Sequence, residues 1–210
     1  MELRPIHPVS RPRRADLLAR AGLALWAIAC VVVGAYMLAA HLLTLPAPAP
    51  GDPGFRAAIA SQRRPSQHGW LVLHVLYQDC KCSRRVLDHL LATPRPADVD
   101  ERVVLITDDG KLDPEVVAAV QAAGLDLDVA APAAVVARYH VEVAPLLVVI
   151  DPGDTVRYVG GYTTRKQGAD DRAEAVIAAT RRGEVVDPLP VFGCAVSAAL
   201  KQKLDPLGVR

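Results

Sequence analysis

Residues 71–90 read LVLHVLYQDCKCSRRVLDHL, and a change of period inside this stretch decides the fold. Trp70 to Tyr77 is an apolar run without alternation, which suits a strand buried on both faces by covering helices. From Ser83 to Leu91 the apolar positions Val86, Leu87, Leu90 and Leu91 fall at helical spacing instead. Between the two lies Cys80-Lys81-Cys82 at a strand-to-helix junction. The start of a helix offers unpaired amides and a partial positive charge, both of which favour a thiolate. Lys81, Arg84 and Arg85 add positive potential and Asp79 opposes it. The polar surroundings QDCKCS argue against a pair of inert buried cysteines.

Working outward, the pattern predicts β-α-β-α-β-β-α. Pro94 and Pro96 end the first helix, and Val103 to Thr107 is a second buried strand. Asp113-Pro114-Glu115 opens a helix with a cap, a proline and an acid, and Gly124 stops it. Ala133 to Tyr139 is a short helix and Leu146 to Ile150 a strand. The turn Asp151-Pro152-Gly153-Asp154 leads to a strand over 155–162. Asp170 to Arg182 closes as an amphipathic helix burying Ala173, Val176, Ile177 and Thr180. The class is α/β, with a mixed sheet flanked by helices.

The N-terminal part has a different character. Ala21 to Ala40 carries no charge, and at ~1.5 Å per residue twenty residues span about 30 Å, the hydrocarbon thickness of a bilayer. Arg4, Arg11, Arg13, Arg14 and Arg20 precede it, and Arg56 is the sole basic residue in the twenty that follow. The positive-inside rule therefore predicts a single-pass protein of a bacterial cytoplasmic membrane, with the N-terminus in the cytoplasm and the rest in the periplasm or equivalent space. A cleaved signal peptide is the competing reading. Its apolar core would be shorter, and the best small-x-small candidate, Ala47-Pro48-Ala49, is followed by Pro50. The expected organisation is a basic segment over 1–20, an anchor over 21–45, a Pro-rich linker over 46–62, a domain over 63–183 and a tail over 184–210. PAPAPGDPG, residues 46–54, favours a stiff extended stalk.

With a formal net charge of +1 over 210 residues, no broad basic field points to nucleic acid. Gly160-Gly161 ends a strand rather than forming a phosphate loop. Four cysteines, Cys30, Cys80, Cys82 and Cys194, are too few to staple a chain of this length. Cys30 falls in the apolar segment as a small apolar residue.

Three features resemble the thioredoxin superfamily: the strand-cysteines-helix junction of residues 71–90, the segment ARYHVEVAPLLVVIDPGDTVRYVGGY over 137–162, and the closing helix after Gly160-Gly161. The likeness spans roughly residues 68–183. It implies a membrane-anchored extracytoplasmic thiol–disulfide oxidoreductase acting on protein thiols and disulfides without a cofactor. It also implies that Pro145, preceded by Ala144, is a cis-proline facing the cysteines. The departures are a Cys-x-Cys spacing where the family has Cys-x-x-Cys, Asp79 in place of Trp, and no proline in the motif. His74 stands six positions before Cys80, where thioredoxins often carry a buried acid. It is either a base for exchange or a strand histidine satisfied by a neighbour.

Residues two apart on a helix point to opposite sides, so the sulfurs of Cys80 and Cys82 meet only if Cys80 lies outside the helix. Cys80 is then expected to be the more exposed, attacking thiol, with Cys82 resolving. A disulfide across one residue closes a small ring, which favours donating it. The rival class is a copper-binding or copper-delivery module, since Cys-x-Cys chelates Cu(I) well, with Cys194 as a third sulfur and His140 or His74 as a further ligand. Cys194 sits in Phe192-Gly193-Cys194-Ala195. It is expected either to fold back to the site or to be a buried tail cysteine.

Overall fold

The computed structural model describes residues 14–94, 96, 98–166, 168 and 170–205. Most of the basic N-terminal flank and the last five residues lie outside the described residues. The chain divides into two compact units, Met1–Leu43 and Thr44–Arg210.

The first unit contains helix α1, Arg14–Leu42. The helix is long and apolar enough to cross a membrane, with a mean hydropathy of 2.2 over its most apolar eighteen residues. The uncharged run read from the sequence lies inside it. The helix ends at Leu42, short of the expected anchor end at residue 45. Leu45 belongs to the second unit, where its amide donates to the carbonyl of Val191 (2.9 Å).

The second unit begins with α2, Pro53–Ala60, followed by β1, Trp70–Tyr77. Helix α3, Lys81–Ala92, leads to β2, Val99–Ile106, and α4, Pro114–Ala122. Next come β3, Asp126–Ala130, α5, Pro132–Tyr139, and the two-residue β4, Val143–Ala144. Strands β5, Leu146–Ile150, and β6, Val156–Gly160, form the hairpin. Helix α6, Ala173–Arg181, strand β7, Cys194–Ala195, and α7, Ala198–Leu204, complete the unit.

The five-stranded sheet has the order β3-β2-β1-β5-β6. β1, β2 and β3 run parallel, and β5 and β6 add antiparallel. Because β1 is central, its alternate side chains fill two separate cores. Leu71, Leu73, Val75 and Tyr77 pack with Phe55, Ile59, Val135 and Tyr139. Val72 and Leu76 pack with Val86, Leu87, Leu90 and Ile177 on the other face. Helix α6 buries Ala173, Val176, Ile177 and Thr180, the four residues expected.

Three expectations are corrected. Residues 53–60, assigned to a linker, form α2. Asp52 caps it by accepting from the amide of Phe55 (2.7 Å), and Phe55 and Ile59 are fully buried. Burying each is worth about 1.5–3 kcal/mol, which outweighs the stiffness of the preceding prolines. The segment after Gly124 adds the strand β3, unread in the sequence because Asp126 and Asp128 break its apolar run. Residues 184–205, assigned to a tail, are integral: Val191, Val196 and Leu200 lie in the core, and β7 pairs with β4.

Candidate dithiol site

β1 passes into α3 through a tight turn in which the amide of Cys80 donates to the carbonyl of Tyr77 (3.0 Å). Cys80 is the N-cap residue, with extended backbone (φ −94°, ψ 118°), and its carbonyl accepts from the amide of Arg84 (2.9 Å). It therefore stands outside the helix, as the spacing required, and Cys82 falls in the first turn. The Ala144–Pro145 bond is cis, as the resemblance implied, and the Cys80 sulfur lies 4.0 Å from the carbonyl oxygen of Ala144.

β7 pairs antiparallel with β4 in the register Ala144↔Cys194. Cys194 thus arrives beside Cys80, and both Cys82 and Cys194 pack against the core cluster that contains Cys80 and Ala144. All three thiols are free. Hydrogen bonds from the thiols of Cys194 and then Cys82 hold Cys80 well below the ordinary thiol range, against the opposing effect of burial. The amides of Ser83 and Cys82 favour the same thiolate. Cys82 and Cys194 are pushed up in turn, each chiefly as a donor to Cys80 and then by burial.

Exposure runs opposite to expectation. Cys80 is 1% exposed, whereas Cys82 and Cys194 are half-buried. Cys80 belongs to the core cluster that also holds Ala144 and Val196, and the glycine before β7 lies against the Ala144 carbonyl. A groove of ≈ 220 Å³ is lined by Cys82, Arg85, His89, Pro145, Tyr162 and Asp171 among others. Cys82, not Cys80, is the sulfur on that groove. Asp171 is pushed upward there by burial.

His74 is fully buried on the sheet face opposite Leu73 and Val75. One ring nitrogen is 3.0 Å from the Tyr162 hydroxyl and the other 2.9 Å from a Glu101 carboxylate oxygen. Tyr162 also donates to the Leu146 carbonyl (3.4 Å), so the chain Glu101–His74–Tyr162 runs from the sheet to the groove wall. Neither Glu101 nor Tyr162 stood out in the sequence. The side-chain parity of β1 and β2 brings Glu101 to His74, and Tyr162 comes from the segment just after β6.

His140 is the left-handed C-cap of α5 (φ 54°), and its ring lies against Gly54 of α2. The contacts described for it do not include a cysteine. Among the described residues, the ligand-type side chains whose donor atoms all lie within 4.8 Å of one another are His89, Asp171 and Glu174. His89 and Glu174 are already paired at 2.9 Å. Cys80, Cys82 and Cys194 do not form such a mutual group among the described residues, although both Cys82 and Cys194 hydrogen-bond Cys80.

No family model and no curated protein matches the chain. Solved structures do. An uncharacterized conserved protein from Geobacillus kaustophilus matches with a TM-score of 0.50 at 16% identity, over 62% of this chain and 77% of that one. Hypothetical protein SMc02350 from Sinorhizobium meliloti 1021 matches with a TM-score of 0.50 at 16% identity, over 75% and 93%. StoA from Bacillus subtilis matches with a TM-score of 0.37 at 16% identity, over 55% and 85%. At 16% identity the two matches with a TM-score of 0.50 show a likeness of fold. Together with the strand order and the flanking helices, the fold is a thioredoxin-like mixed sheet, in a chain that also carries one N-terminal helix long enough to span a membrane.

Proposed function

We propose that the chain is a membrane-anchored thiol–disulfide oxidoreductase that donates a disulfide held between Cys80 and Cys82 to protein thiols. The observation that carries this reading is the division of labour at the junction. Cys82 faces the groove beside Pro145, and Cys80 is a buried sulfur with two thiol donors. In the oxidised site, a partner thiolate attacks Cys82. The bond between Cys82 and the partner forms, the Cys80–Cys82 bond breaks, and Cys80 leaves as a thiolate. A leaving thiol of low pKa departs faster, and stabilising the reduced form makes the disulfide a better oxidant. A second partner thiolate then attacks the partner sulfur and releases Cys82. The partner ends as a disulfide and the chain as a dithiol. In this reading α1 is the anchor and residues 44–210 act outside the cytoplasm.

The copper reading needs several soft ligands around one point. Two thiols that each hydrogen-bond Cys80, without the three sulfurs forming a mutual ligand group, suit pairwise exchange better than chelation.

By microscopic reversibility, Cys82 alone should attack a disulfide and be unable to resolve it. Oxidised glutathione incubated with the full-length Cys80→Ser chain should therefore remain attached at Cys82. The Cys82→Ser chain should hold none at Cys80. Attachment at Cys80 alone would return the attacking role to that residue, and attachment at neither would sink the oxidoreductase reading. Protection of the cysteines from alkylation by Cu(I), with no glutathione exchange, would favour the copper module.

A further inference from the structure

The segment from Leu189 to Ser197 is fixed along its path. The amide of Leu189 donates to the Tyr158 hydroxyl (3.1 Å), and the Leu189 carbonyl accepts from the amide of Gly161 (2.8 Å). Val191 pairs with Leu45, and the amide of Val196 donates to the Glu142 carbonyl (2.7 Å). Two glycines allow these approaches. A β-carbon at Gly161 would lie 2.0 Å from the Pro190 carbonyl oxygen, and one at Gly193 would lie 2.0 Å from that of Ala144. Where this path runs antiparallel beside β4, Cys194 is opposite Ala144, whose carbonyl oxygen is 4.0 Å from the Cys80 sulfur. Directly opposed residues on an antiparallel pair have β-carbons about 4.5–5.5 Å apart on one face. A free tail would need none of these constraints, and their joint effect is to deliver a second thiol, besides that of Cys82, to hydrogen-bonding reach of Cys80.

We infer that Cys194 is a third redox thiol of the site, and that Cys80 passes its disulfide between Cys82 and Cys194. This rests on the reading of the Cys80/Cys82 pair given above. The step is an isomerisation. The Cys194 thiolate attacks the Cys80 sulfur, the Cys80–Cys194 bond forms and the Cys80–Cys82 bond breaks. Cys82 leaves as a thiolate and takes up the proton that Cys194 lost. The oxidation level of the chain does not change, so no outside oxidant or reductant is needed. The two isomers differ in access. The Cys80–Cys82 disulfide opens on the groove and can be attacked by a partner. The Cys80–Cys194 disulfide lies behind β7 and leaves Cys82 as a free thiol in the groove. Cys82 in that state can open a partner's wrong disulfide, so the substrate class widens from protein dithiols to mispaired protein disulfides.

The test is a linkage map of the full-length chain, oxidised in a glutathione buffer, quenched in acid, alkylated and digested with trypsin without reduction. Lys81 puts Cys80 and Cys82 on separate peptides, and Arg182 and Lys201 bracket Cys194. Both the Cys80–Cys82 and the Cys80–Cys194 linkage are expected in the wild-type chain. In the oxidised Cys82→Ser chain, alkylation of Cys194 should be lost as the Cys80–Cys194 linkage takes over. A Cys80–Cys82 linkage with Cys80–Cys194 absent from both proteins would overturn the inference while leaving the dithiol reading standing. A Cys82–Cys194 linkage would overturn Cys80 as the mediator. If no linkage forms at all, the dithiol reading fails with it.

Discussion

Substituting Gly193 by alanine attacks the contact that covers Cys80. The added methyl carbon would sit 2.0 Å from the Ala144 carbonyl oxygen, 2.5 Å from Pro145 Cδ and 2.7 Å from the Ala144 carbonyl carbon. Two of these three atoms are backbone, so β7 must move away from β4. Overpacking of this kind costs about 1–3 kcal/mol. If that cost falls on the seated tail alone, the population with the tail lifted rises about 5- to 150-fold. Cys80 is 1% exposed with the tail seated, so its reaction with iodoacetamide should track that population. The measurement is the rate of Cys80 alkylation in the reduced full-length chain, read on its tryptic peptide, beside the midpoint of thermal unfolding. The rate should rise by the stated factor while the midpoint falls by about 2–4 °C per kcal/mol. Gly51→Ala is the control, since a β-carbon there meets nothing within 4 Å. If Cys80 in folded Gly193→Ala reacts no faster than in wild type, the tail does not cover the thiol and the argument for Cys82 as the groove sulfur loses its basis.

The reduced site should make stability depend on pH in a set direction. Cys80 is lowered by its two thiol donors, so the unfolded chain binds one more proton than the folded one below the ordinary thiol value of 9.0, and stability rises with pH up to there. Cys82 and Cys194 are raised, so above 9.0 the folded chain holds protons that the unfolded chain has lost, and stability falls. Urea unfolding of the reduced chain, corrected by the same series on Cys80→Ser, should show a maximum near that value; a flat difference would contradict the shared-proton cluster. His74→Leu removes partners from Glu101 and Tyr162 at a fully buried position, and should cost about 1–3 kcal/mol in urea unfolding. A cost near zero would mean that the chain of hydrogen bonds contributes nothing net. Alkaline extraction should leave the full-length protein in the membrane; a released, shortened chain would mean that α1 is a signal peptide.

The sequence carried the central fold because its strongest signals were local. The unbroken apolar run of β1, the helical spacing of α3 and the Asp113-Pro114 start of α4 each follow from neighbours along the chain. Position of Cys80 outside the helix also followed from spacing alone. What escaped were features that depend on residues far apart. Pro53 and Gly54 read as linker because Phe55 and Ile59 are buried against α5 and one face of the sheet, far along the chain. Strand β3 was hidden because Asp126 is held by Arg102 (2.9 Å) and Arg64 (2.8 Å), and those partners are distant in sequence. Exposure at the dithiol was inverted for the same reason. Nothing near residue 80 announces that residues 193–195 cover it. The one available signal was Gly193 beside Cys194, a small residue where two backbones meet closely. Glu101 joined His74 through the β1–β2 pairing and Tyr162 through the chain that follows β6, neither of which the sequence spells out.

The central claim is that Cys80 and Cys82 exchange a disulfide reversibly, and the most direct measurement is a redox titration of the full-length chain in glutathione buffers. Alkylation and mass spectrometry would assign the oxidised and reduced fraction of each cysteine. On the proposed reading a stabilised Cys80 thiolate makes the pair an oxidising dithiol, and a reversible two-electron transition is expected at roughly −120 to −230 mV. Both cysteines should lose alkylation together along that curve. Free, alkylatable Cys80 and Cys82 across the whole range, or a transition below about −300 mV where structural disulfides lie, would contradict the account.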